Sequence, residues 1–105
     1  MKKATLIDQI EVTRSGIIQV RMRKVLVNDD GSLDELGYHR TSIEPGVDTA
    51  KVFDAVNEHL ARMKQGQVDE SELKTLKAIV NLVHTKELVQ SFRESALAHI
   101  GVKEG

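Results

Sequence analysis

The apolar residues of this 105-residue chain change period once, at its only proline, Pro45. Ahead of it they alternate, as in a strand with one buried face. Beyond it they recur every three to four residues, as on one side of a helix. A chain with this switch is expected to be α+β: an N-terminal three-stranded antiparallel meander over residues 1–46, then two to three helices over 47–100. A tail would run over 101–105, the whole making a single domain, 1–105, since this length is too short for two ordinary cores.

The first half carries the β signals. Leu6, Ile10 and Val12 share one parity, and after Arg14-Ser15-Gly16 the run Ile18, Val20, Met22 alternates with Gln19, Arg21 and Arg23. At Lys24 the phase slips, because Val25, Leu26 and Val27 are all apolar, which predicts a bulge, a bend or burial on both faces. Asp29-Asp30-Gly31-Ser32 reads as a hairpin loop, since Asp-Gly readily supplies positive φ angles. A third strand should span about Glu35 to Ile43, interrupted by Gly37. Glu44-Pro45-Gly46 then closes the meander, because the residue before proline is held extended and Pro-Gly favours a turn.

The second half reads as helices. Val52, Phe53, Val56, Leu60 and Met63 lie on one arc, with Asp48 or Thr49 as the cap and Gly66 as the stop. Asp69 and Glu72 have the spacing of a capping box, and Val68 with Leu73 that of a hydrophobic staple. Leu73, Leu76, Ile79, Val80 and Val83 then share a face opposite Lys74, Lys77 and Asn81. Extending that helix past His84 would turn Glu87, Gln90 and Ser91 inward, so the stripe must break. A restart capped by Thr85 realigns Leu88, Val89, Phe92 and Ala96. Leu82, Leu97 and Ile100 fall outside the main arcs and read first as peripheral core; the alternative is a contact between subunits, which would also cover the sheet's open edges.

Charge and composition narrow the function. Fifteen basic and sixteen acidic residues nearly cancel, and residues 1–47 hold seven of each, so the concentrated basic surface of a nucleic-acid binder is not expected. With no cysteine, disulfides, thiolate metal sites and cysteine nucleophiles are excluded. The N-terminus has no signal-peptide pattern and no segment is long and apolar enough to span a bilayer, so a soluble protein, intracellular when made, is the expectation.

The densest cluster of chemically capable side chains is Tyr38-His39-Arg40-Thr41-Ser42. On a strand it splits: His39, Thr41 and Ile43 share one face, while Tyr38, Arg40 and Ser42 share the other, so His39 cannot act on Ser42. His59, His84 and His99 are scattered, without the spacing of a zinc motif. Asp29, Asp30 and Asp34 begin like a calcium loop, but the twelfth position is Arg40 where a glutamate is needed. No catalytic residue, cofactor or metal ligand is expected. Arg21, Arg23, Lys24 and Arg40 could form a basic strip that binds phosphate or meets an acidic partner, with Tyr38 as its one aromatic neighbour, too few for base stacking. Because Arg21 and Arg23 alternate with buried residues, an ordinary solvated sheet face is the first reading and a protein interface the second.

The runs IDQIEVTRSGIIQVRMRKVLVNDDGS, YHRTSIEPGVD, AVNEHLARM and VHTKELVQSFR resemble a group of small proteins of tailed bacteriophages and prophages, encoded near tail or tail-fibre genes. The matching positions are Ile10, Val12, Gly16, Ile18, Val20 and Arg21, then Tyr38, His39, Arg40, Pro45, Gly46 and Asp48. They are structural and carry no catalytic role. The resemblance implies a non-enzymatic virion or assembly protein, found in the virion or in the host cytoplasm during assembly. Its partners would be other phage structural proteins and its own copies. The contact residues would include Arg21, Arg23, Tyr38, His39, Arg40, Leu82, Leu97 and Ile100. The alternative is a small phage-encoded regulator or inhibitor that binds a host protein or nucleic acid.

Overall fold

Three antiparallel strands in the order β1-β2-β3 are followed by three helices: β1 (Lys2–Val12), β2 (Ile18–Val27), β3 (Leu33–Ile43), α1 (Thr49–Arg62), α2 (Glu70–Val83) and α3 (Lys86–His99). The α+β meander-then-helices architecture is therefore the one expected. The structure is a computed structural model and describes residues 1–99, with side chains through residue 95. Ile100 and the anticipated 101–105 tail lie outside the described residues, as does the side chain of Leu97. Among the described residues no helix is long and apolar enough to cross a membrane.

One face of the sheet is the core. Ile18, Val20 and Met22 of β2 and Ile43 of β3 pack with Phe53, Val56 and Leu60 of α1, Val68 of the α1–α2 connection, and Leu76 and Val80 of α2. All ten are buried. Met63, expected on the same arc, is 60% exposed. It caps the helix rather than joining its stripe, because α1 has ended one residue earlier.

Two irregularities set which side chains reach that core. The β1–β2 register slips between Ile7 and Gln9, so Asp8 is an extra residue. Ile7 therefore pairs with Met22 and Ile10 with Val20, both on the core side, whereas Leu6 pairs with Arg23 on the other side. The common parity of Leu6, Ile10 and Val12 thus does not give a common face. The second slip comes where β2 changes phase. Lys24 pairs with Gly37 and Val25 with Glu35, which makes Leu36 the extra residue, on β3. Gly37 adopts φ +126°, and the Lys24 side chain passes over it where a Cβ would stand. Val25 is fully buried but lies outside the core cluster. Its partners Ala4 and Glu35 place it on the face of Leu6 and Arg23, so burial on both faces, together with a bulge, accounts for the apolar run at 25–27.

The helices begin much as their caps imply and end differently. Asp48 accepts from the Ala50 N–H at the start of α1, and Thr85 Oγ1 from the Leu88 N–H at the start of α3, so the break at His84-Thr85 is real. The stop of α1 is not Gly66. The Lys64 N–H reaches the Ala61 carbonyl and the Gln65 N–H reaches that of Leu60, the paired bonds of a Schellman motif, with Lys64 at φ +59°. Gly66 has another task. A Cβ there would stand 2.5 Å from the Lys3 carbonyl oxygen and 2.6 Å from the Ala4 Cα, so the residue is small because β1 lies against it.

That approach docks the α1–α2 connection on the edge of β1. Thr5 and Val68 form a parallel bridge, and the Thr5 hydroxyl donates to the Gly66 carbonyl. The Lys3 ammonium donates to the Lys64 carbonyl at 2.9 Å. Glu72 completes the seam. Its Oε1 accepts from the Ile7 N–H at 2.6 Å, so the expected capping box with Asp69 does not close, and the Asp69 carboxylate instead accepts from the Glu70 N–H and the Ser71 hydroxyl. The carboxylate goes to the strand because an edge N–H otherwise lacks a partner. Of α3, Leu88 lies against Gly16 and Val89 against Gly46, while His84 Nε2 hydrogen-bonds the Gly16 carbonyl at 2.7 Å.

Two substitutions separate the roles of Lys64 and Gly66. Lys64→Gly removes the penalty of a left-handed non-glycine residue and is expected to raise unfolding stability by about 1 kcal/mol. Gly66→Ala drives a methyl into backbone and is expected to cost about 1–3 kcal/mol or more. Urea unfolding followed by circular dichroism measures both.

Candidate functional site

The helices and the α1–α2 connection leave one sheet face without a covering layer, and the alternation of the strands decides what stands on it. Arg21 pairs with Arg40, Arg23 with Tyr38 and Gln19 with Ser42, all pointing away from the core side. Three of the four residues anticipated as a basic strip are thus neighbours, together with Tyr38. Lys24 is not among them, since its pairing with Thr5 and Gly37 puts it on the core side. His39, opposite Met22, is there too.

Three guanidinium groups this close need compensation, and two receive it. The Asp8 carboxylate takes both Arg21 Nε and Nη2, at 3.0 and 3.1 Å, a bidentate pair that fixes the plane of the guanidinium. Arg21 also lies over the Tyr38 ring, its Cζ 4.6 Å from the centroid. The hydrogen bond from Arg21 is the main reason the Asp8 pKa lies below the usual carboxylate value; burial opposes it, and the charges of Arg21, Arg23 and Arg40 add to the lowering. Arg23 Nε is 3.6 Å from Glu35 Oε1, beyond hydrogen-bond reach, and the Tyr38 hydroxyl donates to the same oxygen at 3.1 Å. Among the described residues Arg40 has no carboxylate partner within salt-bridge distance.

Beside this array lies a shallow groove of about 480 Å³, lined by Gln9, Glu11, Gln19, Arg21, Arg40 and Ser42 among others. It is open, and its lining mixes polar and apolar surface in nearly equal parts, unlike the enclosed, largely apolar concavities that hold small ligands. Its fixed cation, free cation and amides suit the main chain and polar side chains of another protein. A second cleft, about 450 Å³, lies between the start of α1, the end of α2 and Val89 of α3, with Lys77, Asn81 and His84 on its wall. Among the described residues no three histidine, aspartate or glutamate side chains are grouped to hold a metal ion.

The remaining anticipated residues are dispersed. Leu82, on α2, is 80% exposed and far out of the core stripe. His39 stacks on His59 of α1, ring centroids 5.4 Å apart and 29° between planes. The sequence pattern contained neither this pair nor Asp8 as partner of Arg21. The one available signal for Asp8 was Ile7, an apolar residue out of phase with Leu6 and Ile10, which marks the slip that turns Asp8 toward Arg21. Compared with protein-family models, curated proteins and solved structures, the chain matches none.

Burial, then the His59 ring and the Lys24 ammonium, hold the His39 pKa below the usual imidazole value. The unfolded chain therefore binds a proton more readily than the folded one as pH falls below about 6.5, and stability drops across that window. Urea midpoints measured from pH 7.5 to pH 5 should fall for the natural chain. They should fall less steeply for His39→Gln, which has no proton to gain.

Proposed function

We propose that the protein is a non-enzymatic structural or assembly component of a tailed bacteriophage, associated with the tail or tail fibre and acting through protein contacts. The resemblance of its strand-turn-strand and Tyr-His-Arg…Pro-Gly segments to small phage proteins supports the phage setting. The observation that carries the mode of action is the uncovered sheet face. There Arg21 is held rigid by Asp8 and Tyr38, Glu35 sits between Arg23 and the Tyr38 hydroxyl, and Arg40 lacks a carboxylate. Arginine and tyrosine, held in place before binding, lose little side-chain freedom on contact and are the residue types that dominate interface energies. The open groove beside them offers hydrogen-bonding groups to a partner's backbone.

Mass spectrometry of purified particles tests this reading. A structural component is expected in fixed copy number per particle. Arg40→Ala and Tyr38→Ala should each reduce its incorporation about tenfold, the cost of losing one interface anchor. A folded protein absent from particles but recovered on a host protein would replace this reading with that of a host-directed regulator.

A further inference from the structure

The two edges of the sheet are treated differently. The β1 edge is occupied: the Thr5–Val68 bridge, Glu72 on the Ile7 N–H and the extra residue Asp8 all engage or distort it. The β3 edge runs for eleven residues with β2 on one side only. Among the described residues nothing pairs with its other side, and no side chain hydrogen-bonds to the backbone of 33–43. It also carries three of the protein's exposed large apolar residues, Leu33 at 42%, Leu36 at 40% and Tyr38 at 38%. A strand edge this long and this apolar invites another strand.

What strand it would take is written in its charge order. β3 is acidic at its start, with Asp34 and Glu35, and basic beyond its middle, with Arg40. A parallel copy would set like charges side by side. An antiparallel copy sets acid against base, as a two-fold contact requires.

We propose that the free edge of β3 binds β3 of a second copy of this chain, antiparallel about a two-fold axis at Tyr38, joining two three-stranded sheets into one of six strands. In this register Leu36, already the bulge residue against β2, is skipped again. Glu35 then faces Arg40 of the second copy on the outer face, while Asp34 faces Thr41 and Leu33 faces Ser42. Each of these pairs joins residues on one face, because the β2–β3 register places Leu33, Glu35, Arg40 and Ser42 on the outer side and Asp34 and Thr41 on the core side. The pairing supplies Arg40 with the carboxylate it lacks. His39 of one copy lies across Gly37 of the other, where no side chain competes for the space. The two exposed tyrosines meet at the axis. The main chain contributes roughly one hydrogen bond per paired residue, comparable to the total in an ordinary protein interface.

The inference stands on the strand edge and its charge order, so it can fail or hold independently of the phage reading. Light scattering after size exclusion, over a concentration series from micromolar upward, should give twice the 11.7 kDa chain mass. Arg40→Glu sets Glu35 against a second carboxylate and should weaken the dimer at least tenfold, and Glu35→Arg combined with Arg40→Glu should restore it. Circular dichroism checks that each variant is folded. A second readout survives an unfolded variant. The chain has no cysteine, and opposed residues of antiparallel strands have Cα atoms about 4.5–5.5 Å apart, within disulfide range. Tyr38→Cys should therefore give a covalent dimer on mild oxidation, and Leu82→Cys should not. A monomer at every concentration overturns the proposal. So does a dimer in which Tyr38→Cys does not cross-link, which would point to the exposed helix surface around Leu82 instead.

Discussion

The contact of the α1–α2 connection with the first strand is the constraint on which the remaining structure depends. A three-stranded sheet has two faces and two edges, and its helices can cover only some of them. By running so close that Gly66 admits no side chain beside Lys3 and Ala4, the connection commits α1 and α2 to one face. The same contact spends Thr5, Val68 and Glu72 on one edge. What is left is determined by subtraction: the face bearing Arg21, Arg23, Tyr38 and Arg40, and the edge of β3. Glu72 shows how strongly the seam is preferred. A carboxylate placed to close a cap on its own helix instead satisfies a strand N–H, because that group sits at an edge, where no neighbouring strand offers it a carbonyl.

The extra residue Asp8 plays a corresponding part on the opposite face. Inserting one residue into β1 keeps Ile7 and Ile10 both inward, although their separation of three would otherwise place them on opposite sides. Asp8 itself becomes available to Arg21. Without that carboxylate, three guanidinium groups would share a small area with Glu35 as the one carboxylate within salt-bridge distance of them among the described residues. With it, Arg21 is locked in place over Tyr38. A single backbone irregularity thus serves the core and organises the exposed surface, which gives the uncovered face a defined shape before any partner arrives.

Much of the architecture could be read from residue types in order. The switch of period at Pro45, the turns at Gly16 and Gly31, the caps Asp48, Asp69 and Thr85, and the break after His84 are all local events in which a few neighbouring residues decide the outcome. The division of Tyr38-His39-Arg40-Thr41-Ser42 between two faces was equally legible, because alternation along a strand needs no knowledge of the fold. The failures share a cause. Gly66 has the composition of a helix stop, yet the stop is at Lys64 and the glycine answers to β1. Leu6 has the parity of the core, yet a residue inserted after Ile7 turns it away. Met63 continues the stripe of α1 on paper, yet the chain has already left the helix.

By itself, then, the sequence determined the kinds of element, their order and their approximate limits, and with them the absence of cysteine chemistry and the near balance of charge. Periodicity, capping and turn formation are short-range, and the residues that compete in them are adjacent in the chain. Only the tertiary structure decided which face the helices cover, which edge is closed, and which charges meet. Those outcomes join residues far apart in sequence: Thr5 with Gly66, Ile7 with Glu72, Gly16 with His84, His39 with His59. Such contacts depend on the register of the strands, and a one-residue slip reverses a strand's faces. No pattern confined to one segment contains that information.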